Sequence, residues 1–408
     1  MIKFKIKDLI IPTIIFVSDE TILFGTNSNQ LFIYLKYLIL MGVAVYLACL
    51  KKSLANPKVT RICICMCGII VLSSLLNFDL RLGLIYKIVI LTVSCLITQL
   101  YSLKEFANRY VRFIYFLACF SLVGYAIALF MPPLMSKLPR VVNISGGEYY
   151  NMLFYTQQVN KVSDLMRNEG CFREAGVYQM FLNLALVFQI YFADNFKVKY
   201  FVVLLLALVL TFSTTGYATV FLVLLLFIFS NKSTAISKKT KFGLIGLIIA
   251  GIGFLFAKSD LFSAEGILLS KFQQEGNESS IARISSVTTN IEIWKSSPLF
   301  GIGLNINDLF SRITLNTYGI ETEHNTNTLL YELACWGIFY FLILIGGIIK
   351  FCSRIGNKMI EHIIMFLILF FLSIGENLVF STFFFVLMFY GYNMLSCKSS
   401  FHTYKRLK

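Results

Sequence analysis

Residues 167–183 read RNEGCFREAGVYQMFLN. Here a polar segment that begins near Leu134 runs straight into an apolar helix. Two arginines (Arg167, Arg173), two acids (Glu169, Glu174) and two glycines (Gly170, Gly176) stand just before it or in its first residues. Charged groups at a membrane boundary lose hydration, so a cluster of them signals a task. The same pattern, apolar run against polar junction, extends from here in both directions.

Over all 408 residues, 57% are hydrophobic and only 14% charged, against about 25% charged in soluble domains. Mean hydropathy is +0.76. This is an all-α polytopic membrane protein, one integral domain over 1–408. The basic N-terminus leads into further apolar runs and not to a small-residue cleavage site, so the first helix is expected to be retained.

The hydropathy places about twelve spans: 8–24, 31–50, 62–76, 82–100, 113–130, 177–193, 201–211, 217–229, 244–257, 327–349, 360–372 and 380–395. Asp19 and Glu20 interrupt the first, which carries Pro12 near its start. The apolar run 201–229 is too long for one span and is split at Ser213-Thr-Thr-Gly216. Two large outer loops remain, 134–173 and 258–323. In the second, Ile281, Ile284, Val287, Ile291 and Trp294 recur at steps of three and four, which predicts an amphipathic helix at the membrane surface. A turn-rich stop, Pro298-Leu-Phe-Gly301-Ile-Gly303, follows it.

The net charge of +15 is distributed by side and not as a nucleic-acid patch. Lysine and arginine favour one set of loops over the other by about two to one, with Lys36 and Lys87 inside spans. That bias puts both termini in the cytoplasm and the basic loops against anionic lipid headgroups. Of ten cysteines, only Cys171 falls in an outer loop. Cys63, Cys65 and Cys67 alternate around a helix axis and read as small buried hydrophobes, not metal ligands. No metal site and no nucleotide-binding fingerprint appears, which argues against an ATP-driven pump.

His324 ends the second outer loop. A neutral imidazole is the usual group for accepting a proton near neutral pH, and Glu321 and Glu323 would hold its pKa up; an interfacial histidine bonded to headgroups is the competing reading. The outer arginines Arg167, Arg173, Arg283 and Arg312 can bind phosphate bidentately or pair with Glu169, Glu174 and Glu292. Arg173, at the boundary with a span, favours the first role. Tyr149, Tyr150 and Tyr155 suit either sugar stacking or the aromatic belt.

Three stretches together resemble the O-antigen polymerase and O-antigen ligase superfamily of bacterial envelope glycosyltransferases. One is Arg167 to Gly176, with Ala175 where the polymerases carry proline. The second is Ser279 to Arg283, followed by Pro298 to Gly303. The third is His324-Asn325 leading to Glu332 and Gly337, with the glycine about two residues late. Ser213 to Gly216 fits the family's polar break in a mid-chain helix.

The resemblance implies a type-C glycosyltransferase fold in the bacterial inner membrane, with no cofactor. The implied substrate is an undecaprenyl-diphosphate-linked oligosaccharide. His324 would be the catalytic base, and Arg173 and Arg283 would hold the diphosphate as it leaves, in an inverting, metal-independent transfer. Arg167, Glu174, Glu323 and Glu376, the last between the final two spans and facing outward, would support them. The expected activity is polymerisation of repeat units into O-antigen or capsular polysaccharide, with a chain-length regulator as partner. The alternatives are a ligase acting on a lipid A-core acceptor and, from another class, a flippase for the same lipid-linked sugar. A flippase should show paired broken helices in two related halves, which this chain lacks.

Overall fold

The computed structural model describes residues 6–50, 56–159, 166–192, 196–230, 278–318 and 325–393, together with Gly243 and Gly246. The chain is mostly helical: α1 (Ile6–Phe16), α2 (Gln30–Leu50), α3 (Pro57–Leu76), α4 (Leu82–Leu100), α5 (Leu103–Phe130), α6 (Pro132–Met135), α7 (Ala175–Tyr191), α8 (Val198–Val209) and α9 (Thr214–Phe229). After residues outside the description come α10 (Glu278–Ser296), α11 (Ile306–Tyr318), α12 (Thr328–Cys352), α13 (Met359–Gly375) and α14 (Thr382–Tyr392). Helices α2, α3, α4, α5 and α12 are long and apolar enough to cross a membrane, and α7, α8, α9, α13 and α14 are shorter apolar helices. The expected span 244–257 lies outside the described residues.

Helix starts follow local chemistry. Asn56 caps α3, which opens with Pro57, where a missing N–H costs nothing. Ser102 and Glu105 form a reciprocal capping box on α5. Aromatic rings from α5, α7 and α14 fill the middle of the bundle, with Tyr110 stacked 4.5 Å from Phe383.

The expected first span is not one helix. α1 stops at Phe16 and holds Pro12 in its interior. The acids that interrupt the hydropathy are used to turn the chain: Asp19 pairs with Lys36 of α2 and accepts a hydrogen bond from Tyr86 of α4 at 2.5 Å. The following residues form backbone bonds to the segment before α7, Ile22 N to Cys171 O at 3.1 Å and Arg173 N to Glu20 O at 2.8 Å.

The first outer loop departs from the all-α expectation. It contains a three-stranded antiparallel sheet, β1 (Arg140–Val142), β2 (Glu148–Asn151) and β3 (Thr156–Gln158), with Val141 opposite Tyr149 and Tyr150 opposite Gln157. The reversal between β1 and β2 uses Gly146 at φ 81°, a conformation open to glycine. The strands are too short for their period-two pattern to stand out against the surrounding polar residues.

The apolar run does break at the expected place: the chain turns between α8 and α9 at residues 210–213. Ser213 caps α9 by accepting from Gly216 N at 3.3 Å, so α9 begins three residues before the expected Tyr217. α10 forms as a helix, but its polar face meets the protein: Ser285, Ser286, Thr289 and Asn290 are buried, whereas Ile284 and Val287 are exposed.

α12 is kinked at Gly337, which has φ 76°. The kink frees backbone groups inside an apolar bundle, and the Pro298–Gly303 turn satisfies them. Ile302 N donates to Ala334 O at 3.1 Å and Ile338 N to Pro298 O at 2.9 Å. Ser73 of α3 donates to Cys335 O at 3.3 Å. A Cβ on Gly337 would collide with Leu299 O, and one on Gly301 (φ 68°) with Cys335 O. Gly337→Ala and Gly301→Ala are therefore each expected to cost roughly 1–3 kcal/mol from backbone strain alone. Gly68→Ala, where a Cβ meets nothing within 4 Å, should be neutral or stabilising. Unfolding midpoints of the three variants in detergent check the contrast.

Candidate functional site

The short connection between α13 and α14, residues Glu376–Ser381, is extended at Glu376, turns at Val379 and Phe380, and is anchored from three sides. Thr328, the first residue of α12, donates its hydroxyl to Glu376 O at 2.6 Å and accepts from Leu378 N at 2.8 Å. Arg173 donates Nη2 to Asn377 O at 3.0 Å. The Glu376 carboxylate lies directly against Gly176, where any Cβ would overlap Oε1. The Glu376 side chain thus turns toward the start of α7.

Arg173 is set by the chain on both sides. Its own N–H bonds Glu20 O, and Glu174 behind it is the extended N-cap of α7. Ala175 takes the first helical position, the place in a helix that tolerates proline. The Arg173 Nε is buried and has no partner. Among the described residues neither Arg173 nor Arg283 forms a salt bridge. Among the described residues, neither Glu174 nor Glu292 forms a salt bridge with either guanidinium.

Arg167 docks on the α8–α9 turn, donating Nε to Thr211 O at 3.0 Å, and Asn168 N donates to Leu210 O at 2.8 Å beside it. These carbonyls lost their helical partners when the chain turned at Phe212, whose φ is 47°. The first outer loop therefore caps the break in the mid-chain helix.

Arg283, Ser286 and Asn290 share one face of α10, at steps of three and four. That face holds the segment entering α12. Asn290 and Asn325 exchange reciprocal amide bonds at 2.9 and 2.8 Å, and Thr326 N donates to Ser286 Oγ at 3.0 Å. Asn327 then caps α12. His324 and Glu323 lie outside the described residues, as does Glu321; the chain is pinned against the Arg283 face one residue after His324.

Arginines from both outer loops act electrostatically on Glu376. Burial pushes its carboxyl up to about 8, with Glu174 adding to the rise, while Arg173, Arg283 and Arg167 pull it back down. The shift favours the neutral form of this carboxyl, which opposes the positive charge of the arginines less than a carboxylate would. Beside Arg283 opens a groove of about 630 Å³ between α9, α10, α12 and α13. Thr214, Thr215 and Asn327 line it along with Arg283, and the rest of its wall is mainly aromatic and aliphatic, Phe366 and Phe370 among it. The arrangement joins an arginine-bearing end to an apolar trough. Among the described residues no cluster of histidine, cysteine or acid could hold a metal.

Sequence reasoning missed Thr328, Asn377 and Thr211, which act through backbone bonds or a single hydroxyl and carry no composition signal. Arg312, on α11, is not among the charges that act on Glu376.

Residues 200–345 match a family described as O-antigen ligase. The match covers Arg283, His324 and the α8–α9 break, and it supports the resemblance to the O-antigen polymerase and ligase superfamily. No curated protein matches the chain, and no solved structure matches it.

The raised carboxyl makes stability depend on pH. Between the ordinary value of 4.5 and about 8 the folded state keeps the Glu376 proton that the unfolded state releases. Stability contributed by this group therefore falls as pH rises through that window and levels off above it. The parent should lose unfolding midpoint between pH 5 and 8 relative to Glu376→Gln, measured side by side in detergent; parallel curves would count against the shift.

Proposed function

We propose that this protein polymerises undecaprenyl-diphosphate-linked oligosaccharide repeat units at the outer face of a bacterial inner membrane, with about twelve spans and both termini cytoplasmic. The observation that carries the reading is the convergence of Arg167, Arg173 and Arg283, from two outer loops, on one carboxyl. Three guanidinium groups in a partly dehydrated site suit a lipid-linked diphosphate. The adjoining apolar groove suits its isoprenoid chain.

In this reading the donor diphosphate lies between Arg173 and Arg283, with the unpaired Arg173 Nε as one donor. His324 takes the proton from the acceptor sugar hydroxyl. The oxygen attacks the anomeric carbon of the donor from the face opposite the diphosphate, so the configuration inverts. The bond from that carbon to the diphosphate oxygen breaks, and the electron pair leaves with undecaprenyl diphosphate, stabilised by the arginines and not by a metal. Arg167 and Glu174 orient Arg173, and Glu323 supports His324. Glu376, kept neutral, spares the diphosphate a like charge. A chain-length regulator would act on the same outer face.

A ligase that transfers polysaccharide to a lipid A-core acceptor is the second reading, and the family match at residues 200–345 is compatible with both. Both readings share the donor site and differ in the acceptor. The glycan profile of cells lacking the protein separates them. A single repeat unit on the acceptor indicates a polymerase. An unmodified acceptor with polymer left on the lipid carrier indicates a ligase. Substrate trapped inside would instead indicate a flippase and defeat both.

His324→Ala should remain folded in membranes and lower turnover by at least about 100-fold, within the range for general-base loss; long chains made at the parent rate would remove His324 as base. Arg173→Lys should be nearly as damaging as Arg173→Ala, because an ammonium cannot reproduce bidentate contact. Each should cost about 100-fold or more in turnover, as when one transition-state donor is deleted. Comparing turnover of a purified lipid-linked repeat unit by the two variants tests this.

A further inference from the structure

Lys87 and Glu332 form an ion pair with fully buried side chains, 2.5 Å apart, between α4 and α12. Two charges in the interior of a membrane protein are costly to desolvate, and apolar pairs of similar size are usually as stable or more so. Their role is therefore poorly explained by stability. The Lys87 Nζ also donates to Val379 O at 2.5 Å and lies 4.1 Å from the centroid of Phe385. Val379 belongs to the same 376–381 connection that carries Glu376 and receives Arg173. One helical turn before Glu332 on α12, Thr328 binds both Glu376 O and Leu378 N.

The consecutive peptide groups of this connection are thus held in order. Thr328 takes Glu376 O and Leu378 N, Arg173 takes Asn377 O, and Lys87 takes Val379 O. Glu332 fixes the direction of the Lys87 ammonium. From this geometry we infer that Lys87, Glu332 and Thr328 are positioning residues, which hold the 376–381 connection so that Glu376 and the Arg173 guanidinium meet the donor diphosphate in register. The inference rests on the proposed function.

The test uses the full-length protein with a lipid-linked repeat unit as substrate and undecaprenyl diphosphate as binding probe. Two variants are compared with the parent: Thr328→Val, which keeps the side-chain shape, and the double change Lys87→Met with Glu332→Leu, which leaves no charge unpaired. Single changes of Lys87 or Glu332 are avoided, since each strands a buried charge. Both variants should unfold within a few degrees of the parent and keep the donor KM within about threefold, while kcat falls by about 10-fold or more. The pH dependence of turnover should also move, because the surroundings of Glu376 change. In the double background, glutamine at both positions restores a donor toward Val379 O and should recover part of kcat.

Parent kcat and an unmoved pH profile in Thr328→Val would overturn the inference, and the same result in the double variant would remove Lys87 and Glu332 from it. If the double variant does not fold while Thr328→Val is folded and fully active, the pair is structural only and the inference fails. A parent that neither elongates the lipid-linked substrate nor is stabilised by undecaprenyl diphosphate overturns the proposed function, and the inference with it.

Discussion

Inside a bilayer a broken helix has no water to satisfy its freed backbone groups, so another part of the protein must supply the partners. Among the described residues, three interruptions within or between apolar helices are covered in this way. Arg167 and Asn168 cover the α8–α9 turn. The Pro298–Gly303 turn covers the kink of α12. Thr328, Arg173 and Lys87 cover the α13–α14 connection. Each repair is made by a distant segment, which ties both outer loops to the helix bundle. The proposed site sits where the repairs at the α8–α9 turn and the α13–α14 connection come together.

That origin accounts for the electrostatics. Arg167 and Arg173 each donate to a carbonyl at such an interruption, through one guanidinium nitrogen. Arg173 spends one nitrogen on Asn377 O and keeps Nε unpaired. The neighbouring carboxyl of Glu376 is raised by burial and not neutralised through a close ion pair. A cluster of positive charge with a neutral acid beside it is costly in an empty site and favourable with a diphosphate present.

Much of this was legible along the chain. The polar stretch Ser213 to Gly216 marked a real break: the chain turns just before it, and Ser213 caps α9, whose first residues are Thr214 to Gly216. The steps of three and four in 281–294 marked an amphipathic helix, expected at the membrane surface. Its polar residues Ser286 and Asn290 face the protein to meet Thr326 and Asn325, while Ile284 and Val287 are exposed. In a membrane the outside is also apolar, so hydropathy alone does not say which face is inward. Asp19 and Glu20 interrupted the first span for a reason that lay in other helices, with Lys36 and Tyr86.

The amino-acid order by itself determined that the chain is a polytopic membrane protein, where most of its helices run, and that Arg167 to Gly176 is a charged junction of unusual density. These follow from composition and periodicity, which are local properties. Only the tertiary structure decided that Arg173 and Arg283, over a hundred positions apart, act on the same carboxyl, and that Lys87, Thr328 and Asn377 belong to their surroundings. Those relations are made by backbone carbonyls and by packing between helices, and a backbone carbonyl looks the same in the sequence wherever it points.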